Sequence, residues 1–226
     1  MWEAGTRRCA DRDVKPLRHF VLPPTRAFTL IELLTVIAIV GILAAILIPT
    51  VMSSRVSADR ARTKIQFNQW ATAIESFRSE YGYYPVFDSS NLVNGGANTT
   101  DHPFHDVLAG RKRDGAPLTA GSAAATQNRK AISFYSFPES EFTDASSPAP
   151  NLLRDATGNT EIAVLVDSNR DGVINSSDFG ASLPLVSGIS PAASDFPDTG
   201  VRSGVVFYTL APGASATDPQ FIFSWK

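Results

Sequence analysis

From Phe28 to Val51 the chain runs for 24 residues with one formal charge, Glu32. At about 1.5 Å per residue such a helix extends roughly 36 Å, enough to cross a hydrocarbon core of about 30 Å. Helical periodicity continues past this run. Phe67, Trp70, Ala71, Ile74, Phe77 and Tyr81 recur at three- and four-residue spacing and form one stripe. Arg60, Arg62, Lys64, Arg78 and Glu80 lie mostly off it. The pattern predicts one helix from about Phe28 to Tyr81. Residues 28–51 would be its transmembrane part and residues 52–81 an amphipathic continuation packed on a soluble domain. Pro49 lacks the N–H for an internal helix bond and predicts a kink, with Gly41 at the other end of the segment readiest to bend. Gly82-Tyr83-Tyr84-Pro85 supplies the stop.

Residues 86–160 are rich in Ser, Ala, Gly, Asn, Thr and Pro and read as a long, loop-rich excursion. One short helix is expected near Phe104–Leu108 and one strand near Ile132–Phe137. Three later apolar runs, Glu161–Val166, Val205–Leu210 and Phe221–Trp225, read as strands. They predict a small antiparallel sheet against the amphipathic half of the helix. The fold class is therefore α+β, with residues 82–226 forming a single globular domain after the helix.

Charge changes the picture at the N-terminus. Residues 1–27 carry six bases (Arg7, Arg8, Arg12, Lys15, Arg18, Arg26) against three acids (Glu3, Asp11, Asp13). A basic segment directly before an apolar run holds the N-terminus in the cytoplasm and sends the C-terminus across. An ordinary secretory signal is cut after a short apolar stretch. Here the run is long, no small-residue site closes it, and the small residue Ala27 precedes it. Cleavage at Ala27 would remove the leader and leave the helix. The single cysteine, Cys9, lies in that leader, so residues 28–226 contain no disulfide. The same residues hold 14 bases and 19 acids, which gives no electrostatic argument for nucleic acid.

A carboxylate in an apolar span costs about 2.5–3.5 kcal/mol on insertion scales, so Glu32 is a candidate functional residue on physical grounds. The plain alternative is a signal anchor whose glutamate snorkels to the interface. Ala27-Phe28-Thr29-Leu30-Ile31-Glu32 resembles the cleavage and methylation motif of type IV prepilins, usually Gly-Phe-Thr-Leu-x-Glu. The resemblance covers Arg26 to about Pro85. Ala27 stands where the family usually has Gly. The resemblance implies a cut by a prepilin peptidase between Ala27 and Phe28, N-methylation of Phe28, and a subunit-docking role for Glu32. Pairing the amine of an incoming subunit with Glu32 of its neighbour would offset the cost of both charges in lipid. Tyr81-Gly82-Tyr83-Tyr84-Pro85 looks like the helix exit of the major pseudopilin of type II secretion. The Trp-Gly-Asn-Pro turn and the acidic C-terminal calcium loop of that kind of protein are not found.

A second candidate is Asp167-Ser168-Asn169-Arg170-Asp171-Gly172-Val173-Ile174-Asn175-Ser176-Ser177-Asp178, which fits D-x-[DN]-x-[DN]-G through twelve positions. Side-chain oxygens fall on Asp167, Asn169, Asp171, Asn175 and Asp178, and the Val173 carbonyl supplies one more, a donor set suited to calcium. Asp178 replaces the usual glutamate, and a strand rather than a helix precedes the loop. The alternative is a polar turn capped by its own Asn and Asp side chains. His102 and His105 have no third ligand at metal spacing and read as surface loop histidines. Asp195 and Asp198 read as solvated carboxylates. No phosphate loop, nucleophile elbow or dinucleotide fingerprint is found.

The resemblance implies a pilin-like structural subunit and not an enzyme. It implies a single-pass inner-membrane protein with a periplasmic domain that assembles into a homo-oligomeric filament of a type II secretion system. Minor pseudopilins, an inner-membrane assembly platform and the prepilin peptidase would be its partners. A type IV pilin or minor pilin, and a membrane-anchored exported calcium-binding domain, are the alternatives.

Overall fold

The computed structural model describes residues 28–226 except Thr99, 144–150, Ala181 and Asp198. The leader 1–27, with Ala27 and Cys9, lies outside the described residues. In chain order the elements are α1 (Leu30–Tyr81), α2 (Pro103–Ala109), α3 (Ala123–Gln127), β1 (Ile162–Val166), α4 (Ser176–Phe179), β2 (Val205–Leu210) and β3 (Phe221–Phe223), with short 3-10 turns at Glu139–Glu141 and Ala193–Asp195. The predicted long helix is present, and its helical assignment runs through Pro49. The chain divides between Ile48 and Pro49 into two units.

In the first unit the side chains of α1 are exposed almost throughout, and no residue from Leu30 to Ile48 is buried. This is the segment long and apolar enough to cross a membrane.

The second unit owes its core to the amphipathic stripe. Phe67, Trp70, Ile74 and Phe77 are fully buried, with Ala71 and Tyr81 packed beside them. The sheet is antiparallel in the order β1-β2-β3, with Val164 opposite Phe207 and Thr209 opposite Ile222. Strand alternation divides its side chains between two clusters. Ile162, Val164, Val205 and Phe207 join the helix stripe and α2. Ala163, Leu165, Val206, Tyr208 and Phe223 join Ile174, Val186, Phe196 and Val201 from the loops. Phe67 stacks on Phe207 at 5.4 Å between ring centroids. The outer edge of β1 is covered, since Val93 N–H donates to Ile162 O (2.8 Å) and Val164 N–H to Asn91 O (2.9 Å).

Three expectations are corrected. Ile132–Phe137 forms no strand. Its alternation is real, and Phe134, Tyr135 and Phe137 pack on the core. Its neighbour is a helix end instead of a strand: Phe134 N–H and Tyr135 N–H both donate to Leu108 O, at 2.8 and 3.2 Å. A ladder has no partner there. His102 and His105 are buried, at 0% and 5% exposure. His102 caps α2, and its Nδ1 accepts the His105 N–H (3.3 Å). The last strand stops at Phe223, where the Ser224 hydroxyl accepts the Phe207 N–H in place of a ladder carbonyl.

Candidate functional site

Two sets of residues carry chemistry, one at the start of α1 and one in the loop after β1. At the start of α1, Thr29 and Glu32 bind each other. Glu32 N–H donates to Thr29 Oγ1 (3.3 Å), while Glu32 Oε2 accepts from Thr29 N–H (2.8 Å) and from Thr29 Oγ1–H (2.7 Å). This is a capping box, in which each side chain satisfies the other residue's backbone donor. The signal was in the sequence as Thr-x-x-Glu, and Thr29 is the capping partner that a reading centred on the lone carboxylate overlooks. Phe28 is 78% exposed and directly precedes this box. The arrangement presents a carboxylate, already bonded on one oxygen, one helical turn from the position where cleavage would expose an amine. Its other oxygen can accept a cationic donor.

The second set is the loop 167–178. β1 delivers Asp167, which is fully buried. Its Oδ1 accepts the Asp171 N–H (3.1 Å) and its Oδ2 the Gly172 N–H (2.9 Å). Gly172 sits at φ +83°, a region closed to most side chains, and that turn lets the loop close on Asp167. At the far end Asp178 accepts from Ser168 N–H (2.9 Å) and Asn175 N–H (3.0 Å). Asn175 in turn caps α4. Asn169 Nδ2 donates to Asp171 Oδ2 at 3.0 Å, and Asp171 Oδ1 accepts the Val173 N–H. The donor set is all oxygen, which suits a hard divalent cation. As folded, however, the oxygens are turned onto the loop's own N–H groups. No group of three His, Cys, Asp or Glu suited to hold a metal ion occurs among the described residues. The loop is tied to its surroundings: Arg170 donates to Gly82 O (3.2 Å), and Asp167 N–H to Gly204 O (2.9 Å).

The remaining candidates are structural. His102 Nε2 lies 2.8 Å from Asn94 Oδ1 and donates to it, because Nδ1 is already an acceptor. Burial pushes the pKa of His102 down to about 3. His105 Nδ1 contacts Asp106 Oδ1 at 2.8 Å. Asp195 accepts from Lys226 Nζ at 2.9 Å, and Asp198 lies outside the described residues.

An apolar helix long enough to span a bilayer, opening on a Phe-Thr-Leu-x-Glu box and followed by a small antiparallel sheet, defines a pilin-like α+β architecture. Comparison with known proteins agrees. The prokaryotic N-terminal methylation motif matches residues 23–48. The chain is similar to the type IV major pilin protein PilA of Myxococcus xanthus, 43% identical over 65 residues, which is 29% of this chain and 30% of that one. It is also similar to the type II secretion system core protein G of Klebsiella michiganensis, 33% identical over 61 residues (27% of this chain, 43% of that one). The core protein G of Escherichia coli is 30% identical over 61 residues (27% and 42%). The chain spans less than half the length of these relatives. No solved structure matches. The chain thus carries a prepilin-type N-terminal motif, and its homologues are a type IV pilin and secretion pseudopilins.

Proposed function

We propose that this chain is a structural subunit of a type II secretion pseudopilus, without enzymatic activity. The observation that carries the reading is the Phe28–Glu32 motif at the start of α1, with Glu32 held in a capping box at the edge of an apolar span. In this reading the basic leader keeps the N-terminus in the cytoplasm. Residues 28–51 cross the inner membrane and residues 82–226 fold in the periplasm. A prepilin peptidase cuts between Ala27 and Phe28 and methylates the new amine. That amine then pairs with Glu32 of a neighbouring copy as the subunit joins a filament, assisted by minor pseudopilins and an inner-membrane platform. Similarity to core protein G supports the secretion role.

A second reading, a type IV pilin or minor pilin, is favoured by the higher identity to PilA. Deletion of the gene separates them. Loss of secreted proteins with surface pili intact supports the pseudopilus, and loss of pili with secretion intact supports the pilus.

The loop 167–178 is proposed to take calcium through Asp167, Asn169, Asp171, Asn175, Asp178 and the Val173 carbonyl. Binding there requires Asn169 and Asp171 to turn from each other toward a shared ion. The all-oxygen donor set and the Gly172 turn support this reading.

A further inference from the structure

The segment that covers the outer edge of β1 ends before the strand does. Val164 lies opposite Phe207 and Val166 opposite Val205. The N–H and C=O of Phe207 are both taken by Ser224, and those of Val205 by Ser203, so neither residue bonds toward β1. In an antiparallel pair, Val164 and Val166 then direct their own N–H and C=O to the outer side. There Val93 N–H reaches Ile162 O, and Asn91 O receives the Val164 N–H. The next ladder bond would run from Asn91 N–H to Val164 O. Asn91 instead sits at φ +54°, a left-handed conformation that asparagine tolerates, and its N–H turns to Asp88 O (3.3 Å). Val164 O and Val166 N–H are left without a hydrogen-bond partner among the described residues.

Val164 and Val166 line a cavity of about 330 Å³, together with residues 83–88 and Arg170. Opposite charges reach it from opposite ends. Arg170 comes from the loop that follows Val166, and Asp88 from the turn that holds Asn91 beside Val164. The Asp88 carboxylate is already satisfied by the N–H and hydroxyl of Ser90. Arg170 is exposed and gives one N–H to Gly82 O, which leaves the rest of its guanidinium open among the described residues. Tyr83 (38% exposed) and Val86 (69%) add an uncovered apolar rim.

We infer that this edge takes a strand from another protein, an extended segment with an acidic side chain at its Arg170 end. The open groups select the occupant. An acceptor on Val164 and a donor on Val166, at the spacing of one strand edge, match the main chain of an added strand. That strand continues the antiparallel pairing that Leu92 makes with Ala163. Its N-terminal end then lies by Arg170 and its C-terminal end by Asp88. An acid suits the open guanidinium at the first end, and Asp88 disfavours a terminal carboxylate at the second. Alternate side chains of the added strand cover the apolar rim. A second copy offers no such segment. Among the described residues every Asp and Glu lies in a helix or 3-10 turn, or bonds through its carboxylate within its own fold. All the residues that form the edge belong to the second unit, and the edge is the same whichever filament the chain enters.

The test uses the full chain in uncharged detergent and the peptide Glu-Thr-Val-Thr-Val, blocked at its N-terminus and carrying a fluorophore at its C-terminus, with binding read by anisotropy. The chain should bind it roughly fivefold more tightly than the same peptide with Lys in place of Glu. R170Q should remove that preference, while R111Q, with the same change of charge elsewhere, should keep it. N-methylation of the last valine deletes the N–H that meets Val164 O and leaves every side chain in place. It should weaken binding roughly tenfold. That change alters nothing in the protein, so it reads the main-chain pairing even if R170Q disturbs the loop. Equal binding of the methylated and unmethylated peptides overturns the added strand. Equal binding of the Glu and Lys peptides by the wild type overturns the acidic occupant, and binding of neither overturns both. Self-association of the wild type that the peptide reverses would assign the edge to a second copy and overturn the proposal as well.

Discussion

Phe28 and Glu32 carry the first prediction. The proposed processing predicts a mature N-terminus of N-methyl-Phe28, readable by intact mass and N-terminal peptide analysis of membrane-purified protein. An intact leader, or a cut beyond the apolar run near Thr50, would defeat the prepilin assignment. His102 carries a second. Its Nδ1 accepts the His105 N–H and its Nε2–H donates to Asn94, so a second proton would set donor against donor. Burial therefore lowers its pKa from 6.5 to about 3. A lowered histidine pKa gives stability that is present above 6.5 and is lost as pH falls from there toward 3, because only the unfolded chain takes the proton. At pH 5 the loss reaches about 2 kcal/mol. His102→Asn keeps a capping oxygen and should be less stable at neutral pH but flatter below 6.5. Parallel melting-versus-pH curves for the two proteins would remove His102 from the account. The burial of this residue was not legible in the sequence. His-Pro-Phe-His looks like loop, yet the His102 ring is held by Asn94 and the His105 ring lies against Phe137, contacts that no local pattern reveals.

Elements with their own periodicity were legible: the stripe of α1, the three strands and the helix α2 announce themselves by spacing. The run Ile132–Phe137 also has a strand's alternation, yet its neighbour is the end of α2, and whether a ladder forms depends on a partner that no local pattern reveals. The loop 167–178 is legible as a turn with calcium-type spacing, while its resting bonds are tertiary. Its prediction follows from mass action. At free calcium one hundred times the dissociation constant, binding stabilises the fold by about 2.7 kcal/mol, a rise of a few degrees in melting temperature. Asp171→Ala combined with Asn169→Ala should abolish that rise. Both residues are exposed and bond mainly within the loop, so the metal-free melting point should change little. Magnesium should substitute poorly, because it demands near-octahedral geometry and gives up water reluctantly. Identical melting of wild type and variant with and without millimolar calcium would leave the loop a polar turn.

At the scale of the whole molecule, the burial of α1 is confined to its later turns. Its buried residues begin at Thr63, while Phe28 to Ala58 contribute no buried side chain. Residues 55–226 should therefore fold alone, with one cooperative melting transition followed by the fluorescence of the buried Trp70. An unfolded or aggregated fragment would mean that the membrane segment supports the domain in a way the buried contacts do not account for. In the proposed function, assembly is a separate property of the same helix. The Glu32 carboxylate bonds Thr29 at an exposed helix start, so replacing this side chain should leave the folded domain untouched. Glu32→Ala should insert and be cleaved, because an alanine in the span lowers the insertion cost. What it removes is the carboxylate that would receive the Phe28 amine of the next copy. Without that partner the amine stays in the headgroup layer and neighbouring helices have no polar contact to fix their axial register. Cross-linking of membrane fractions should then give monomer where the wild type gives a ladder, with processing unchanged by mass. Glu32→Gln keeps an acceptor without the charge and should give an intermediate ladder. A full ladder from Glu32→Ala would reduce Glu32 to a helix cap shared with Thr29 and leave apolar packing as the force that joins the subunits.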